Sequence, residues 1–429
     1  MGTGLKMAAR SRLLDWFWRS QNWRQGGESA LLARLPDSAL VPLRREQLDP
    51  VDELRLLREK EPVSRLKLPL GVRVWLVTGY DEAKAVLAAA DVFSNDFRHV
   101  VARAGIPVGH HHPGGLGFTD PPGHTRLRHL LTPAFTMRRL SGLAPQIDKI
   151  IDGQLDELVT AADGDGSVDL VEHFAGPIPS LVICDLLGIP SEDREDFRRL
   201  SVARFDFLGG ANGTLDAISE SVAYVRGVVE HQRAEPGPGL LGMLVTEHGD
   251  VTDDELAGLT DGLMTGGLET TASMLALGAL VLLQDQATLA SLRDGDDQVA
   301  PFVEEALRYL SVVQLAFPRL AREDVTIGGQ KILAGDIVLC SLSGANRDAR
   351  QGSDMERFEP TRPTPSNLAF GYGIHRCIGA ELARMELRAA YPALVRRFPD
   401  IRLDGTPEDL AYRKLSFVYG VDALPVLLK

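Results

Sequence analysis

The chain has 429 residues, of which 44% are hydrophobic and 24% charged, and its formal net charge is −13 at pH 7. This length allows one large domain or two to three ordinary ones, with enough apolar residues for a sizeable core. The acidic balance argues against a nucleic-acid partner, because phosphate binding needs a basic face. Three well-separated cysteines, Cys184, Cys340 and Cys377, are too few for a disulfide framework and indicate a reducing compartment.

The N-terminal segment, residues 1–25, mixes tryptophans with arginines. Its apolar runs are too short for a signal-peptide core or a spanning helix, so we expect no membrane span. Lying on a membrane or partner surface is one interpretation. The favoured alternative is a helix packed on the body of the protein, or a partly ordered tail.

The next part of the chain alternates short elements with loops. Residues 50–67 predict a helix, 72–78 a β-rich strand ending at a glycine, and 81–90 a capped helix. Residues 93–118 lose all periodicity and hold His110-His111-His112. Adjacent histidines do not converge on one metal, so a solvated or pocket-lining loop is favoured over a metal site.

A proline-set turn at Pro121-Pro122 predicts a following helix with His124 and Arg128 on one face, four residues apart. Two cationic or donor groups on one face suit an anionic ligand, and the alternative is an ordinary surface pair. Residues 140–235 read as mostly helical. Cys184 falls in an apolar stretch and is interpreted as core, and the sequence loosens over 205–214.

A long central helix is predicted from a capping box, Thr252 with Glu255, to about residue 284. Roughly 30 residues give about 45–50 Å of helix, and its apolar character all round predicts a path through the protein centre. The run Gly266-Gly267-Leu268-Glu269-Thr270-Thr271 interrupts this pattern. It can open the helix and leave a groove for a small ligand, or its glycines can permit close packing while Glu269 pairs with a cation.

The C-terminal third carries a Glu305–Arg308 pair at i,i+3 on an amphipathic helix. A β region follows from residue 317, with Cys340 interpreted as packing within a strand. Then comes Phe370-Gly371-Tyr372-Gly373-Ile374-His375-Arg376-Cys377-Ile378-Gly379, which predicts a glycine-punctuated loop that ends where a helix begins. We expect that position to lower the thiol pKa of Cys377 and to favour an axial metal ligand over a zinc cage. The alternative is a small buried hydrophobe.

The pattern Phe-Gly-x-Gly-x-His-x-Cys-x-Gly resembles the heme-binding loop of the cytochrome P450 monooxygenases, in their soluble bacterial branch. The resemblance covers the chain from about residue 50 onward, with the motifs in the family's order. It implies a mainly α fold with a smaller β-rich part: a single large domain over residues 46–429 that encloses heme, after an N-terminal extension over 1–45.

The resemblance also implies roles for single residues. Cys377 is the expected metal ligand, and Glu269 and Thr270 are the expected catalytic pair, which relays protons and positions a hydroxyl or water. The positions expected to bind the cofactor, besides Cys377, are His124, Arg128, Arg319, His375, Phe370, Gly371, Gly379 and Gly266, of which the first four are expected at the propionates. Glu305, Arg308 and Arg362 are expected to be structural.

The implied activity is insertion of one oxygen atom from dioxygen into a hydrophobic small molecule, by hydroxylation or epoxidation. We expect heme b, electrons from NAD(P)H through a ferredoxin and its reductase, a cytoplasmic monomer, and a role in tailoring a secondary metabolite such as a polyketide, macrolide or terpenoid. Fatty-acid or steroid hydroxylation is an alternative, as are a heme-thiolate peroxygenase or isomerase and a non-catalytic heme protein. The expected substrate pocket is formed by Gly262, Thr265, Leu315, Phe317 and Val418.

Overall fold

A computed structural model of the protein describes residues 37–66, 73–96, 98–99, 115–162, 164, 166–189, 210–363 and 366–429. The histidine run 110–112, most of the predicted N-terminal extension and much of the loosened segment before residue 210 lie outside these ranges.

The described α-helices outnumber the strands and contain about half of the described residues. In chain order they are α1 (Asp37–Leu40), α2 (Asp52–Lys60), α3 (Tyr80–Ala88), α4 (Gly123–Leu131), α5 (Met137–Ser141), α6 (Ala144–Ala161), α7 (Pro177–Leu187), α8 (Gly210–Ala234), α9 (Leu240–Glu247), α10 (Asp253–Gln284), α11 (Gln286–Asp294), α12 (Val299–Leu310), α13 (Leu342–Ala345) and α14 (Ala380–Arg397).

The strands are short and form four small sheets. They are β1 (Arg45–Glu46), β2 (Asp49–Pro50), β3 (Val63–Leu66), β4 (Val74–Val77), β5 (Phe93–Ser94), β6 (Ser167–Asp169), β7 (Arg319–Ala321), β8 (Val325–Ile327), β9 (Gln330–Ile332), β10 (Ile337–Cys340), β11 (Arg402–Leu403) and β12 (Pro425–Leu427). The largest sheet has the order β3-β4-β10-β7-β5, in which β10 runs parallel to β4 and the other pairs are antiparallel.

The helix α10 runs through the main hydrophobic core of the protein, as its sequence predicts. It begins with the expected capping box: Thr252 N–H donates to Glu255 Oε2 at 3.0 Å, and Glu255 N–H donates to Thr252 Oγ1 at 3.3 Å. It packs against α7, α8, α12 and α14. Within the described residues it is the one helix long and apolar enough to cross a membrane, but 72% of the qualifying window is buried inside the protein. Those properties here belong to a core helix.

One sequence-based prediction was wrong. The predicted helix over 50–67 is helix α2 followed by strand β3. The helix ends at Lys60, and Pro62 follows shortly after, where a helix rarely continues. Val63 is fully buried and pairs with Val77 of β4, so tertiary pairing decides this segment.

Candidate functional site

The cysteine loop is shaped by glycines and closed by one backbone hydrogen bond. Gly371 and Gly373 have φ of 67° and 75°, in the left-handed region that favours glycine. A Cβ on Gly373 would lie 2.4 Å from the carbonyl oxygen of Leu87 on α3, so no side chain fits there. Cys377 N–H donates to Phe370 O at 2.9 Å, and α14 begins three residues later at Ala380. The predicted transition from loop to helix is confirmed.

Cys377 is exposed, whereas Cys184 and Cys340 are buried in the core, as predicted for those two. Although the residue as a whole is exposed, burial of its sulfur raises the thiol pKa of Cys377. The opposing effects of the Gly379 N–H and of the nearby Arg376 are smaller. The N–H at the start of the helix thus lowers the thiol pKa in the predicted direction, but burial outweighs it. A coordinated metal ion would supply the missing driving force for a thiolate.

Beside this loop lies a cluster of four nitrogen-bearing side chains from three segments, which we call the cation cluster: His124 and Arg128 of α4, Arg319 of β7 and His375 of the loop. The rings of His124 and His375 lie 4.2 Å apart between centroids. Burial lowers the pKa of Arg128, and the Cys377 sulfur is close enough to oppose this. The tertiary fold thus brings together all four residues that the sequence assigned to propionates.

Three of the four members of the cation cluster have buried nitrogens without a hydrogen-bond partner in the described part of the chain. Among the described residues, both ring nitrogens of His124, Nε2 of His375, and Nε and Nη1 of Arg319 are buried without one. Burial, followed by the charge of Arg319, lowers the pKa of His375 to about 3, and burial also lowers the pKa values of His124 and Arg319. Buried donors are nearly always satisfied, so this cluster fits an anionic group. A heme carries two carboxylates, which this cluster could bind, and an iron, which the thiol of Cys377 could bind.

One side of α10 carries Gly262, Gly266 and Thr270. Among the described residues, no atom beyond the neighbouring helix backbone lies within 4 Å of where a Cβ would stand on Gly262 or Gly266. Gly267 points elsewhere, since its Cβ would lie 3.3 Å from Ile183 Cδ1 of α7. Each interpretation of the glycine pair therefore holds for one residue: Gly266 leaves room and Gly267 permits close packing. Thr270 Oγ1 donates to Gly266 O at 2.6 Å, the i−4 bond that a threonine hydroxyl can make within a helix, and the helix stays continuous here.

Glu269 is 5% exposed and is bound by two other residues. Ser273 Oγ donates to its Oε1 at 3.2 Å, and Arg413 Nη1 donates to the same oxygen. No local pattern in the sequence indicates Arg413, which lies 144 residues further along the chain.

The structural pair Glu305–Arg308 is buried and bidentate, with Nε to Oε2 and Nη2 to Oε1 both 2.7 Å. Arg362 Nε lies 3.5 Å from Glu305 Oε1, close enough for an ion pair but without a hydrogen bond. These three residues lie together as the sequence indicated.

The expected pocket residues have different surroundings. Phe317 is 46% exposed and its ring lies 4.4 Å from that of Phe118. Leu315, Val418 and Thr265 are buried, at 6%, 2% and 8% exposure, with Leu315 packed in the core beside the large sheet.

Two further residues that sequence reasoning missed support the site. Asp120 accepts from Ser94 Oγ at 2.5 Å and from Arg322 Nη2 at 2.6 Å, which ties the segment before α4 to the large sheet. The Arg384 guanidinium lies 4.7 Å from the Phe370 ring centroid and donates to Glu304 at 2.7 Å, which covers one side of the cysteine loop. Neither contact has a local sequence signature.

The fold and the site together define a mainly helical protein in which an accessible cysteine stands beside a buried cluster that fits a di-anionic cofactor. The profile of the cytochrome P450 family matches residues 239–418. Cytochrome P450 165C4 of Amycolatopsis orientalis is 41% identical over 82% of this chain and 86% of that protein. The monooxygenase PikC of Streptomyces venezuelae is 40% identical over 88% of this chain and 91% of its own length.

Solved structures agree with these sequence relatives. The mycinamicin VIII C21 methyl hydroxylase MycCI of Micromonospora griseorubida matches with a TM-score of 0.82, at 33% identity over 89% of this chain and 98% of that one. StaH, from glycopeptide antibiotic A47934 biosynthesis, matches with a TM-score of 0.79, at 39% identity over 90% and 99% of the two chains.

The chain belongs to the cytochrome P450 family and is a monooxygenase of the bacterial type, which confirms the expected family, fold class and enzyme class. Membership implies a heme-iron cofactor and electrons from a redox partner. The cysteine and the unpartnered cation cluster fit such a cofactor.

Proposed function

We propose that the chain binds heme b, that Cys377 would hold its iron and the cation cluster its two propionates, and that the protein oxygenates a hydrophobic secondary metabolite. The set of unpartnered buried nitrogens on His124, Arg319 and His375 carries this proposal. A buried donor without an acceptor costs about 1–3 kcal/mol, more when charged, so three such side chains in one place require a ligand. When bound, thiolate-ligated heme supplies the activation of dioxygen for insertion into a C–H or C=C bond.

The roles of the surrounding residues follow from their positions. Gly262 and Gly266 leave the face of α10 open for dioxygen and substrate. Thr270 holds its hydroxyl at that face, bonded to Gly266 O, where it can orient a water or donate to an adjacent acceptor. Glu269, one residue earlier, is the group able to pass protons inward from solvent.

The substrate class rests on the relatives and on the exposed apolar surface. A macrolide hydroxylase and an enzyme of glycopeptide antibiotic biosynthesis are among the similar structures. Phe317 is the most exposed of the expected pocket side chains, and with Phe118 it forms an aromatic pair suited to an apolar molecule. We infer that the substrate is a polyketide, macrolide, terpenoid or similar metabolite. Tight binding of only fatty acids or steroids in a panel of candidate substrates would contradict this inference.

The remaining assignments are also proposals. The sequence holds no flavin or iron–sulfur motif, which supports electron delivery by a ferredoxin and a ferredoxin reductase. We propose a cytoplasmic monomer. Leu40, Val41 and Leu43 are buried in the protein core, so we place the start of the domain near residue 40 rather than at 46.

The decisive experiment is the absorption spectrum of the purified protein, reduced and exposed to carbon monoxide. We expect the strongly red-shifted Soret band of thiolate ligation. The band should be lost in Cys377→Ser and kept in Cys184→Ser, the matched control in the core. A band typical of histidine or neutral thiol ligation in the unaltered protein, or no heme at all, would overturn the proposal. A second assay supplies hydrogen peroxide as the only oxidant, without reductant or redox partner. A monooxygenase should then form no product, whereas a peroxygenase should still form it.

A further inference from the structure

The segment closed by the bridge between Tyr412 and Val421, which we call the C-terminal hairpin, contacts the middle of the central helix α10 through an ion pair. Arg413 Nη1 donates to Glu269 Oε1, and the two side chains are 17% and 6% exposed. Arg413 lies on the segment that returns at the isolated bridge between Tyr412 and Val421. This is a long-range contact to the very acid that we propose for proton transfer, and the family motif on α10 gives no indication of it.

The hairpin holds Arg413 in place at several points. Its backbone N–H donates to Gly420 O at 2.9 Å, and its Nε donates to Asp422 Oδ1 at 3.0 Å. Asp422 is 64% exposed. Arg413 therefore connects a buried carboxylate on one side with a solvent-exposed carboxylate on the other.

Glycine at position 420 leaves the space that this arrangement needs. A Cβ there would lie 2.7 Å from Ser273 Oγ and 3.3 Å from Arg413 Nη1. Ser273 Oγ is the second donor to Glu269 Oε1, at 3.2 Å. Both donors to the acid thus pack against residue 420, and both hold the same oxygen.

Physical chemistry decides what the contact does. A buried carboxylate without a counter-charge costs several kcal/mol and takes up a proton instead. Arginine stays charged at every accessible pH and cannot itself pass a proton. Its effect on the relay must therefore be through the charge and the position of Glu269.

We propose that Arg413 is a positioning residue that keeps Glu269 ionised and fixed beside Ser273, so that the C-terminal hairpin sets the state of the proton-relay acid. The inference rests on the proposed role of Glu269, but the contact itself does not. A relay acid must be able to take up and to give a proton in each cycle, and an acid that stays protonated loses the first of these abilities.

The test is infrared difference spectroscopy of the full-length protein at pH 7, which detects the C=O stretch of a protonated carboxyl. Arg413→Met should show a new carboxyl band relative to the unaltered protein, because Glu269 loses its cation. Arg413→Lys should lack the band, since lysine restores the charge. Glu269→Gln/Arg413→Met should lack it too, and this double variant buries no unpaired charge and so keeps the test valid if the single variant folds poorly.

Two controls separate this signal from other groups. Burial raises the pKa of Glu386 to about 8, so Glu386 adds a band that is common to all variants and cancels in the difference. Arg402→Gln removes another arginine of the C-terminal region, which bonds the carbonyl oxygen of Lys429, and should change nothing.

No new band in folded Arg413→Met would overturn the inference, as would a band that persists in the double variant. Neither result depends on heme or on turnover. Failure of the inference is therefore distinguishable from failure of the proposed function, which the carbon monoxide spectrum tests.

Discussion

Two buried arginines differ in whether the protein itself supplies acceptors for their hydrogen bonds. Arg308 is 1% exposed and every one of its nitrogens donates, to Glu305 and to the carbonyl oxygens of Asn346, Met355 and Arg357. Arg319 is 3% exposed, and its Nε and Nη1 have no partner within the described residues. Arg308 stabilises the protein through its own contacts. Arg319 fits a bound ligand, because a buried cation without an acceptor is costly unless a ligand supplies the acceptor.

The largest expected effect is at Arg308. Arg308→Ala leaves Glu305 charged and buried without its partner, so the free energy of unfolding should fall by about 3–5 kcal/mol. Urea unfolding followed by circular dichroism measures this. Glu305→Leu/Arg308→Leu should recover much of the loss, because it removes both charges. A double variant as unstable as the single one would show that the carbonyl contacts, rather than the ion pair, matter.

Glu386 on helix α14 is a buried carboxyl that, unlike Arg308, has an atom without a hydrogen-bond partner among the described residues. It is 3% exposed, its Oε2 has no partner in the described part of the chain, and burial raises its pKa from 4.5 to about 8. The folded state therefore binds this proton more tightly than the unfolded state, and the stability it contributes is lost as pH rises from about 4.5 towards 8. We expect a loss of up to about 1.4 kcal/mol per pH unit in that window.

Glu386→Gln should flatten this pH dependence, because glutamine has no proton to lose. Unfolding midpoints measured from pH 5 to pH 8 would show it. Glu381→Gln, on a half-buried position of the same helix, is the control and should leave the slope unchanged. A slope that survives in Glu386→Gln would assign the titration to another group.

Arg319→Met should have effects of opposite sign with and without heme. In the heme-free protein it removes an unpartnered buried cation, so the free energy of unfolding should rise by about 1–3 kcal/mol. In the loaded protein it removes a propionate partner, so heme should transfer to apomyoglobin faster. Denaturation of the heme-free protein measures the first effect, and the rate of heme transfer to apomyoglobin measures the second. Destabilisation of both forms would mean that Arg319 is structural, as Arg308 is.

The smallest effect is expected at an exposed arginine. Arg55 of α2 bonds Asp52 and Glu59 at 3.2 and 3.0 Å, one turn away on either side. Water screens such pairs and the side chains lose entropy in forming them. Arg55→Ala should leave the unfolding midpoint unchanged within error, which gives the baseline for the two buried arginines.

Part of the site was predictable because its residues are close in sequence. The spacing of Phe370, Cys377 and Gly379 and the capping box at Thr252 are local patterns, and the structure shows the loop and the helix that they predict. The Glu305–Arg308 pair needed only the helical repeat of three to four residues.

Other features could not be read locally. The helix predicted over 50–67 ends early because β3 pairs with β4, and the thiol pKa of Cys377 rises because surrounding protein removes water. Both effects depend on the folded chain, through strand pairing in the first case and through burial in the second. Periodicity and motif spacing carry no information about them.

The sequence by itself determined the family, the cysteine and the central helix, because each depends on a short pattern whose physical meaning is local. The tertiary structure alone decided which donors stay unpartnered and which acid is restrained. His124, Arg319 and His375 become one cluster, and Arg413 reaches Glu269, only when segments far apart in the chain pack together. Burial then sets the cost of each unmet charge, and burial is a property of the folded molecule.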